Sequence, residues 1–358
     1  MAKVLILKAE ISAYNVPTLN IIANHHNLTV GYFTKDKSTV ECKFHKMKFD
    51  VCHLGPFILV KNLKKVCKNY DVVTFIPDLH VLSYCLLPFS RRNFKAISWS
   101  IGFRVSYIHP YITNRKHNIL DWLFKQVLSH CDANIFYMNK AREFWNNSCL
   151  RTDNIFQAIN TATVAPIEFL PAAKKDFLFV GTLYKGKGLD LLLNAFNKVV
   201  HEYDTDTKLR IVGAGDQREI LEKYVVDNGL ETKVVFHGAI YDESEISKIF
   251  QQSILCFSPT QAGLSVPKSM GYGVPFVTRK DAITGGEIYH ITSGKNGIMY
   301  DSNDDLPAIM ADAIKHRSKY LDMGRLALDY YQSSATVEHM AQGALDAIDF
   351  VLAEIPTR

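Results

Sequence analysis

The sequence predicts an α/β protein of two doubly wound, Rossmann-like domains that face each other across a cleft. Short apolar runs alternate with amphipathic segments along the 358 residues, which indicates parallel strands covered by helices on both faces. The alternation stops at residues 160–172, where Pro166 and Pro171 indicate a linker. The last amphipathic segment has no strand after it, so we expect this C-terminal helix to cross back to the first domain.

The first domain is assigned to residues 1–165, together with a C-terminal helix in residues 336–358. Its strands are predicted at residues 3–9, 28–33, 71–77, 95–100 and 133–137. Its helices are predicted at residues 16–24, 81–87, 115–130 and 139–145, and the helical spacing of apolar residues is clearest in the third of these.

The second domain is assigned to residues 173–335, where the alternation starts again. Its strands are predicted at residues 177–180, 209–212, 234–236, 254–257 and 276–277. Its helices are predicted at residues 189–200, 217–228, 243–251, 264–272, 304–316 and 318–331. Two domains of this type bind ligands at the carboxyl ends of their strands, so we expect a small-molecule site in the cleft.

The composition is that of an ordinary globular protein. Hydrophobic residues make up 47% and charged residues 22% of the chain, as in ordinary globular proteins, and the apolar runs are too short to span a membrane. The seven cysteines form no CxxC pair, which favours a reducing cytoplasm and argues against structural zinc. The N-terminus runs directly into a strand, so no signal peptide is predicted.

Charge is distributed unevenly. Residues 1–168 contain 21 Lys and Arg against 11 Asp and Glu, and the remaining residues contain 20 against 25. The basic half suggests an anionic partner or a membrane surface rather than a nucleic acid; solvated lysines without a partner are the alternative. One stretch combines basic and apolar side chains: Leu86, Leu87, Phe89, Arg91, Arg92 and Lys95. Peripheral membrane contact is one hypothesis for it, and an ordinary exposed loop is the other.

The segment at residues 258–275, the central segment, joins two predicted strands and includes a short helix. Ser265 is predicted to be its N-cap, Pro267 suits the first turn, and Gly273 ends it. A helix start that follows a strand offers unpaired N–H groups to an anion, typically a phosphate. Lys268 lies one turn in, and its side chain is expected to lean back toward the same anion. The alternative is a loop and helix that only pack.

Two further strand-to-helix turns are rich in glycine. They occupy residues 180–188 and 212–216, with Gly181 and Gly213 directly after their strands and Lys187 at the start of a helix. Glycines let a phosphate approach backbone N–H groups closely, although neither turn matches a P-loop or a complete GxGxxG. Together with the central segment they predict a ligand that carries a diphosphate; ordinary turn glycines are the alternative.

Five segments of the second half resemble family 4 of the retaining glycosyltransferases, which have the GT-B fold. They are residues 179–196, 209–215, 235–238, 263–275 and 285–297, and their order and spacing are specific. The first half resembles the family only in its general layout. The resemblance implies transfer of a sugar, with retention at the anomeric carbon, from a nucleotide diphosphate sugar (UDP or GDP) to an acceptor. It implies no cofactor.

The resemblance also assigns roles to single residues. The phosphate-binding lysine of the family falls on Lys187, the backbone near Ala239 and Ile240 would meet the base, and Leu264 and Ser265 would offer N–H groups to the phosphates. The complete predicted donor site is Gly181, Thr182, Lys187, Gly213, Ala239, Ile240, Thr260, Gly263, Leu264, Ser265 and Lys268.

This sequence differs from the family at three positions where the family has a charged residue. The paired glutamates of the central motif fall on Thr260 and Lys268, and the phosphate-binding arginine falls on Thr182. The second glutamate normally grips the donor ribose, so Lys268 is expected to bind phosphate at a rewired donor site instead. An inactive enzyme is the alternative.

The candidate catalytic residues, Glu10, Asp78 and His80, follow predicted strands of the first domain. The family often has a histidine in the general position of His80; a structural histidine is the alternative. Trp99 and Arg104 are expected to contact the acceptor, whose hydroxyl must be held close to the developing oxocarbenium ion. Because no DxD pair lies at a strand end, we expect lysine and a helix dipole, not a metal, to neutralise the leaving diphosphate.

These inferences combine into one prediction. The protein is expected to be a metal-independent retaining glycosyltransferase in the cytoplasm or at the inner face of the membrane, acting in surface polysaccharide synthesis on a glycan or lipid-linked saccharide acceptor. An epimerase of nucleotide sugars with the same architecture remains open, and would need no acceptor. A non-catalytic protein that binds nucleotide sugars also remains open, and would never release free nucleotide diphosphate.

Overall fold

The computed structural model describes residues 1–103, 118–145, 150–203 and 205–353. These residues form two compact units, each built around one parallel sheet. The first unit contains residues 1–103, 118–145, 150–160 and 337–353, and the second contains residues 161–203 and 205–336. The prediction of two doubly wound α/β domains is confirmed.

The first unit alternates strands and helices. Its strands are β1 (Lys3–Leu7), β2 (Ile11–Ser12), β3 (Asn27–Tyr32), β4 (Asp36–Lys37), β5 (His45–Lys48), β6 (Val51–Leu54), β7 (Phe57–Val60), β8 (Val72–Phe75), β9 (Lys95–Ser100), β10 (Ala133–Phe136) and β11 (Ile155–Gln157). Its helices before residue 160 are α1 (Val16–His25), α2 (Leu63–Cys67), α3 (Leu82–Cys85), α4 (Ile119–Ser129) and α5 (Lys140–Trp145).

The main sheet of the first unit is parallel, in the order β11-β10-β9-β8-β1-β3-β5. Its central strands are apolar and buried on both faces, so near-continuous runs such as Val72–Phe75 are what the fold requires. The strand order changes direction between β1 and β8. The loops that leave these two strands diverge there, and such a switch point is where doubly wound sheets bind ligands.

The second unit repeats the pattern. Its strands are β12 (Asp176–Val180), β13 (Leu209–Val212), β14 (Val234–Gly238), β15 (Ser253–Phe257), β16 (Gln261–Ala262), β17 (Phe276–Arg279), β18 (Ile283–Thr284) and β19 (Gly297–Tyr300). Its helices are α6 (Leu189–Glu202), α7 (Arg218–Asp227), α8 (Glu243–Gln252), α9 (Ser265–Gly271), α10 (Leu306–Lys315) and α11 (Arg317–Ser334).

The main sheet of the second unit is also parallel, in the order β14-β13-β12-β15-β17-β19. Its switch point lies between β12 and β15. Phe177 on β12 anchors the core, because its ring meets the rings of Phe257 and Phe196 edge-on, with centroids 5.3 and 6.2 Å away. The turns Lys185–Lys187 and Glu287–His290 are short 3₁₀ helices.

The last helix, α12 (Val337–Ala353), belongs to the first unit. It packs on α1 and on strands β9 to β11, and Met340, Ala344 and Ile348 lie on its buried face. Contact is close at Gly343, where a Cβ atom would lie 1.9 Å from the carbonyl oxygen of Gln157. The prediction that the C-terminal helix returns to the first domain is confirmed.

Two details of the sequence prediction differ from the structure. Ser265 is not the N-cap of α9; it is the first helical residue, and Leu264 before it has helical dihedral angles without a side-chain cap. The prediction also missed the strands β5, β6, β7, β11 and β19 and the two-residue strands β2, β4, β16 and β18. β5 is an edge strand with mostly exposed, basic residues, so it lacks the apolar signal by which strands are recognised. The first residues of the predicted helix 115–130, residues 115–117, lie outside the described residues.

Candidate functional site

The turn between β12 and α6 holds Lys187 above the end of the second sheet. The chain leaves β12 through Gly181 and enters α6 after the 3₁₀ turn Lys185–Lys187. A Cβ atom built on Gly181 would lie 3.7 Å from Lys187 Nζ, so the ammonium reaches back over the strand end. Burial lowers the pKa of Lys187, and the carboxylate of Glu287 opposes that shift. A partly buried cation at this edge is suited to an anionic ligand.

Two residues that follow β15 hold the Lys187 turn in place. The hydroxyl of Thr260 donates a 2.6 Å hydrogen bond to the carbonyl oxygen of Gly186, and the hydroxyl of Tyr184 donates to Gln261 Oε1. A Cβ atom on Gly188, which has φ +67°, would lie 2.9 Å from Thr260 Cγ2. Thr260, predicted to contact the donor, therefore positions the turn that carries Lys187.

Gly213 and Gly215 are required by the packing of two neighbouring turns. A Cβ atom on Gly213 would lie 1.8 Å from the carbonyl oxygen of Gly181, and one on Gly215 would lie 2.1 Å from that of Leu183. The Leu183 N–H donates to the carbonyl oxygen of Ala214 at 2.9 Å. These contacts explain both glycines without a ligand, and the donor contact of Gly213 stays a prediction.

Glu287 is a buried acid near Lys187. The residue is only 5% exposed. Its Oε2 accepts hydrogen bonds from the N–H of Gly285 at 2.9 Å and from the hydroxyl of Thr284 at 3.3 Å. Its negative charge raises the pKa of Lys187 and so opposes the effect of burial. The sequence singled out Glu287 only as part of a motif and gave it no role.

Lys268 is engaged in an ion pair. Its ammonium contacts Glu243 at the start of α8, and the other oxygen of that carboxylate accepts a 2.6 Å hydrogen bond from the hydroxyl of Tyr272. The sequence predicts that this ammonium leans toward a phosphate at the start of its own helix. The ion pair is a competing use of the same charge, so the phosphate contact of Lys268 stays a prediction.

The remaining predicted donor-site residues also follow strands of the second sheet. Within the described residues, the N–H groups of Gly263, Leu264 and Ser265 donate to no backbone or side-chain acceptor. Thr182 is exposed beside Gly181. Ala239, which is exposed, and Ile240, which is half-buried, follow β14. The carboxyl ends of parallel strands lie at one edge of the sheet, so all of these residues lie along that edge.

In the first unit, Asp78 and His80 lie together. The ring Nδ1 and the backbone N–H of His80 both contact Asp78 Oδ1, at 3.0 and 2.9 Å. The imidazole remains exposed, with 71% of its side-chain surface accessible. Glu10 follows the neighbouring strand β1 but is held elsewhere, because its carboxylate pairs with Lys37 at 2.8 Å and accepts from Ser12 Oγ at 3.0 Å. The structure thus joins two of the three predicted catalytic residues.

Of the two predicted acceptor-binding residues, the structure describes only Trp99. Trp99 lies on β9 and is 5% exposed, so its ring does not form an open stacking surface. Its indole Nε1 is buried and has no hydrogen-bond partner within the described part of the chain. Arg104 lies outside the described residues.

The second unit matches a known protein family. Residues 174–318, which contain all the second-unit residues of the candidate site described above, match the family model described as glycosyl transferases group 1. An uncharacterized glycosyltransferase of Haemophilus influenzae is 26% identical over 226 residues. That match spans 62% of this chain and 61% of the relative, so the chain aligns with about three fifths of that protein.

Solved structures match over nearly the whole chain. HepE of Anabaena, crystallised in complex with UDP and glucose, has a TM-score of 0.69 at 15% identity, covering 98% of this chain and all of that one. The lipopolysaccharide outer core galactosyltransferase WaaB, in its apo form, has a TM-score of 0.66 at 15% identity, covering 99% and 100%. The fold is that of the GT-B glycosyltransferases.

Among the described residues, no group of three or more His, Cys, Asp or Glu side chains is placed to hold a metal ion. No helix in those residues has the length and apolar character that a membrane span requires.

Sequence reasoning missed the residues whose roles come from partners far along the chain. Glu243 gave no signal, because its partners Lys268 and Tyr272 are more than twenty residues away. Lys174 gave none either; it lies beside the predicted linker, yet it is 1% exposed and its ammonium donates to three carbonyl oxygens. A charged residue directly after a buried apolar run, such as Lys8 after residues 4–7, is a signal that sequence reasoning could have used.

Proposed function

We propose that this protein is a retaining glycosyltransferase that moves a sugar from a nucleotide diphosphate sugar, with UDP or GDP, to a glycan or lipid-linked saccharide. Surface polysaccharide synthesis is the proposed setting. The observation that supports it most is the partly buried Lys187 ammonium above the end of β12, in a turn braced by Thr260. The complex of HepE with UDP and glucose and the name of WaaB favour a UDP-sugar and a saccharide acceptor by analogy.

In this proposal, Lys187 neutralises the charge that develops on the leaving diphosphate. The first turn of α6 follows it directly, so the positive end of that helix adds to the same field. Partial burial reduces screening by water, which makes a fixed positive charge more effective than in bulk solvent. The N–H groups of Leu264 and Ser265 complete the phosphate contacts, and the backbone at Ala239 and Ile240 meets the base. No metal is needed for this step.

His80 is proposed to contact the acceptor hydroxyl. Its Nδ1 is held by Asp78, which fixes the ring and leaves Nε2 for the hydroxyl. A hydroxyl held in this way is oriented for attack at the anomeric carbon. Glu10, which pairs with Lys37, is proposed to stiffen the loop after β1 rather than to take a proton.

The donor site is tested by thermal stabilisation, because a ligand that binds only the folded state raises the melting temperature. UDP, GDP and ADP are each added to the wild type, to Lys187→Met and to Lys185→Met. Lys185 lies in the same turn and is exposed, which makes it a matched control. We expect one nucleotide to raise the melting temperature of the wild type and of Lys185→Met but not of Lys187→Met. The donor site is refuted if no nucleotide raises it.

Turnover separates the three classes of function. A transferase releases nucleoside diphosphate from the sugar nucleotide only when an acceptor is present, and the anomeric proton of the product, observed by NMR, has the configuration of the donor. Its rate is expected to be unchanged by EDTA. An epimerase would change the donor sugar without an acceptor, and a binding protein would show the thermal shift without any release.

Peripheral membrane contact is proposed at the surface around α2 and α3. A pocket of about 390 Å³ is lined there by Asn62, Lys64, Lys65, Leu86 and Ser90, among others. Leu86 is 60% exposed, which suits contact with lipid. Lys64 and Lys65 would contribute the positive charge, and a location in the cytoplasm at the inner face of a membrane belongs to the same proposal.

That surface differs from the one that the sequence indicated. Arg92 donates to Asp132 and to the carbonyl oxygen of Pro88, and Lys95 lies 3.9 Å from the same carboxylate. Both cations are therefore engaged within the fold. Phe89 is 48% exposed and stays part of the proposed surface.

A further inference from the structure

Lys8 is a buried cation at the switch point of the first sheet. It directly follows β1, and its N–H extends the ladder to the carbonyl oxygen of Gly31 at 2.9 Å. The residue is 8% exposed, and its ammonium lies 5.7 Å from the centre of the Trp99 ring. Within the described residues it has no ion pair and no hydrogen-bond acceptor, and burial alone lowers the pKa of Lys8 to about 8.

Two further donors near this position lack acceptors. The hydroxyl of Thr74 on β8 and the indole Nε1 of Trp99 on β9 are buried, and neither finds a partner in the described part of the chain. Thr74 is 1% and Trp99 5% exposed. Buried polar groups are nearly always hydrogen-bonded, so these two unpaired groups, in the same sheet as an unpaired cation, require an explanation.

The strand register places the three donors on one face of the sheet. Ile6 of β1 pairs with Thr74, and Thr74 pairs with Ile97 of β9. Side chains alternate along a strand, and paired residues of neighbouring strands point to the same side. Lys8 lies two residues after Ile6 and Trp99 two residues after Ile97, so both share the face of Thr74. They lie at its carboxyl edge.

The neighbouring carboxylates do not form an ion pair with the Lys8 ammonium. Glu10 is paired with Lys37, and Asp78 contacts His80. α1 packs on the same face, and in a right-handed crossover its N-terminus lies at the carboxyl edge, which adds positive potential. An unpaired buried ammonium destabilises a fold. The missing partner is therefore expected to be an acceptor group from outside the chain.

We propose that Lys8, Thr74 and Trp99 form an oxyanion-binding subsite in the first unit, which takes the carboxylate or the phosphate group of a ligand. The ammonium supplies the charge, and the hydroxyl and indole N–H supply two directed hydrogen bonds. The acceptor of the transfer is then an acidic saccharide or a saccharide phosphate. That last step, and only that step, rests on the function proposed above.

The indole N–H signals of the intact protein report on the subsite directly. The chain contains three tryptophans, and the protein is labelled with ¹⁵N at the indole position. Trp145 is an internal control, because its Nε1 already donates to the carbonyl oxygen of Gly102 at 2.6 Å. Trp99→Phe identifies the Trp99 signal. Inorganic phosphate, glucose 6-phosphate, glucuronate and glucose are titrated at constant ionic strength.

We expect the Trp99 signal to move with at least one of the three oxyanions and not with glucose, while the Trp145 signal stays in place. A response to glucuronate assigns the subsite to carboxylates, and a response to the phosphates assigns it to phosphate groups. The proposal is overturned if none of the three oxyanions moves the Trp99 signal.

Variants separate an anion site from a structural lysine. In Lys8→Met the affinity for the responding oxyanion is expected to fall at least about tenfold, and the melting temperature is expected to rise because an unpaired buried charge is removed. A lower melting temperature together with unchanged affinity contradicts the proposal. If Lys8→Met does not fold, Thr74→Val is used, and its affinity is expected to fall several-fold. Loss of UDP stabilisation alone would refute the donor site and leave this subsite intact.

Discussion

The hydroxyl of Thr260 donates a 2.6 Å hydrogen bond to the carbonyl oxygen of Gly186, 74 positions earlier in the chain. This bond ties the loop after β15 to the turn that holds Lys187. The family that the sequence resembles has a glutamate at the position of Thr260, so a short hydroxyl here binds the backbone where a longer acid would extend further. In this chain the side chain at position 260 supports the turn that carries Lys187.

Replacing Thr260 by valine removes the bond and keeps the shape of the side chain. We expect the nucleotide that stabilises the wild type to bind roughly fivefold to tenfold more weakly, because the Lys187 turn is no longer fixed. The free energy of unfolding is expected to fall by about 1 kcal/mol. Calorimetric titration and urea unfolding measure the two effects. Thr232→Val, at an exposed position away from the turn, is the control and should change neither.

Gly215→Ala is expected to destabilise the second unit strongly. The new Cβ would lie 2.1 Å from the carbonyl oxygen of Leu183, and backbone atoms there cannot move aside without disturbing both turns. We expect a loss of about 3 kcal/mol in the free energy of unfolding. Gly229→Ala is the comparison: it has φ +65° but open space around it, so strain alone should cost about 1 kcal/mol. Equal losses in the two variants would contradict the packing explanation.

The ion pair between Lys268 and Glu243 is tested by a double-mutant cycle. Lys268→Met, Glu243→Gln and the double variant are compared by urea unfolding, and the expected coupling energy is about 1 kcal/mol, since both side chains are partly exposed. The same proteins are then titrated with the stabilising nucleotide. If Lys268 serves only the ion pair, Lys268→Met leaves the affinity unchanged; a loss of tenfold or more would restore the phosphate contact predicted from the sequence.

Lys174 makes the stability of the second unit depend on pH. Its buried ammonium donates to the carbonyl oxygens of Phe250, Ser253 and Tyr272 at 3.1, 3.4 and 3.1 Å, and burial lowers its pKa to about 7. The unfolded chain keeps the ordinary value of 10.5. Between these two values the unfolded state binds the additional proton, so this residue increases stability as the pH rises. Below pH 7 both states are protonated and the contribution is constant.

The measurement compares the wild type with Lys174→Met at pH 6, 7, 8 and 9. The free energy of unfolding of the wild type minus that of the variant is expected to increase by up to about 1.4 kcal/mol per pH unit above pH 7. Using the difference removes the titration of other groups, such as the buried cysteines. A difference that is flat from pH 6 to pH 9, or that falls, would show that the Lys174 pKa is not lowered.

The membrane surface is tested by flotation with vesicles. Wild-type protein is expected to float with vesicles of phosphatidylcholine and phosphatidylglycerol, and to dissociate as salt is added, because Lys64 and Lys65 attract anionic lipid. Leu86→Glu places a carboxylate on the exposed apolar position and is expected to abolish flotation. Ile220→Glu, on an exposed apolar residue of α7, is the control. Flotation with vesicles that contain only phosphatidylcholine would contradict the proposed attraction to anionic lipid.

The sequence by itself determined the architecture and pointed to Lys187 as a candidate ligand-binding residue. Buried parallel strands must be apolar along their whole length, so runs such as Val72–Phe75 identified the sheet without tertiary information. The glycine-rich turn at residues 180–188 indicated Lys187 for a similar reason, since a tight turn between a strand and a helix requires glycine locally. The period of α12 without a following strand indicated that it returns to the first unit.

The tertiary structure alone decided which partner each polar group has. Nothing in the local sequence distinguishes Lys268 paired with Glu243 from Lys268 facing a phosphate, because both arrangements suit the same helix. The edge strand β5 was missed because its side chains are exposed and make no apolar pattern. The donors Lys8, Thr74 and Trp99 belong to three different strands, and only the order and register of the sheet bring them to one face. Periodicity is a local property of the chain, whereas hydrogen-bond partners depend on which strands become neighbours.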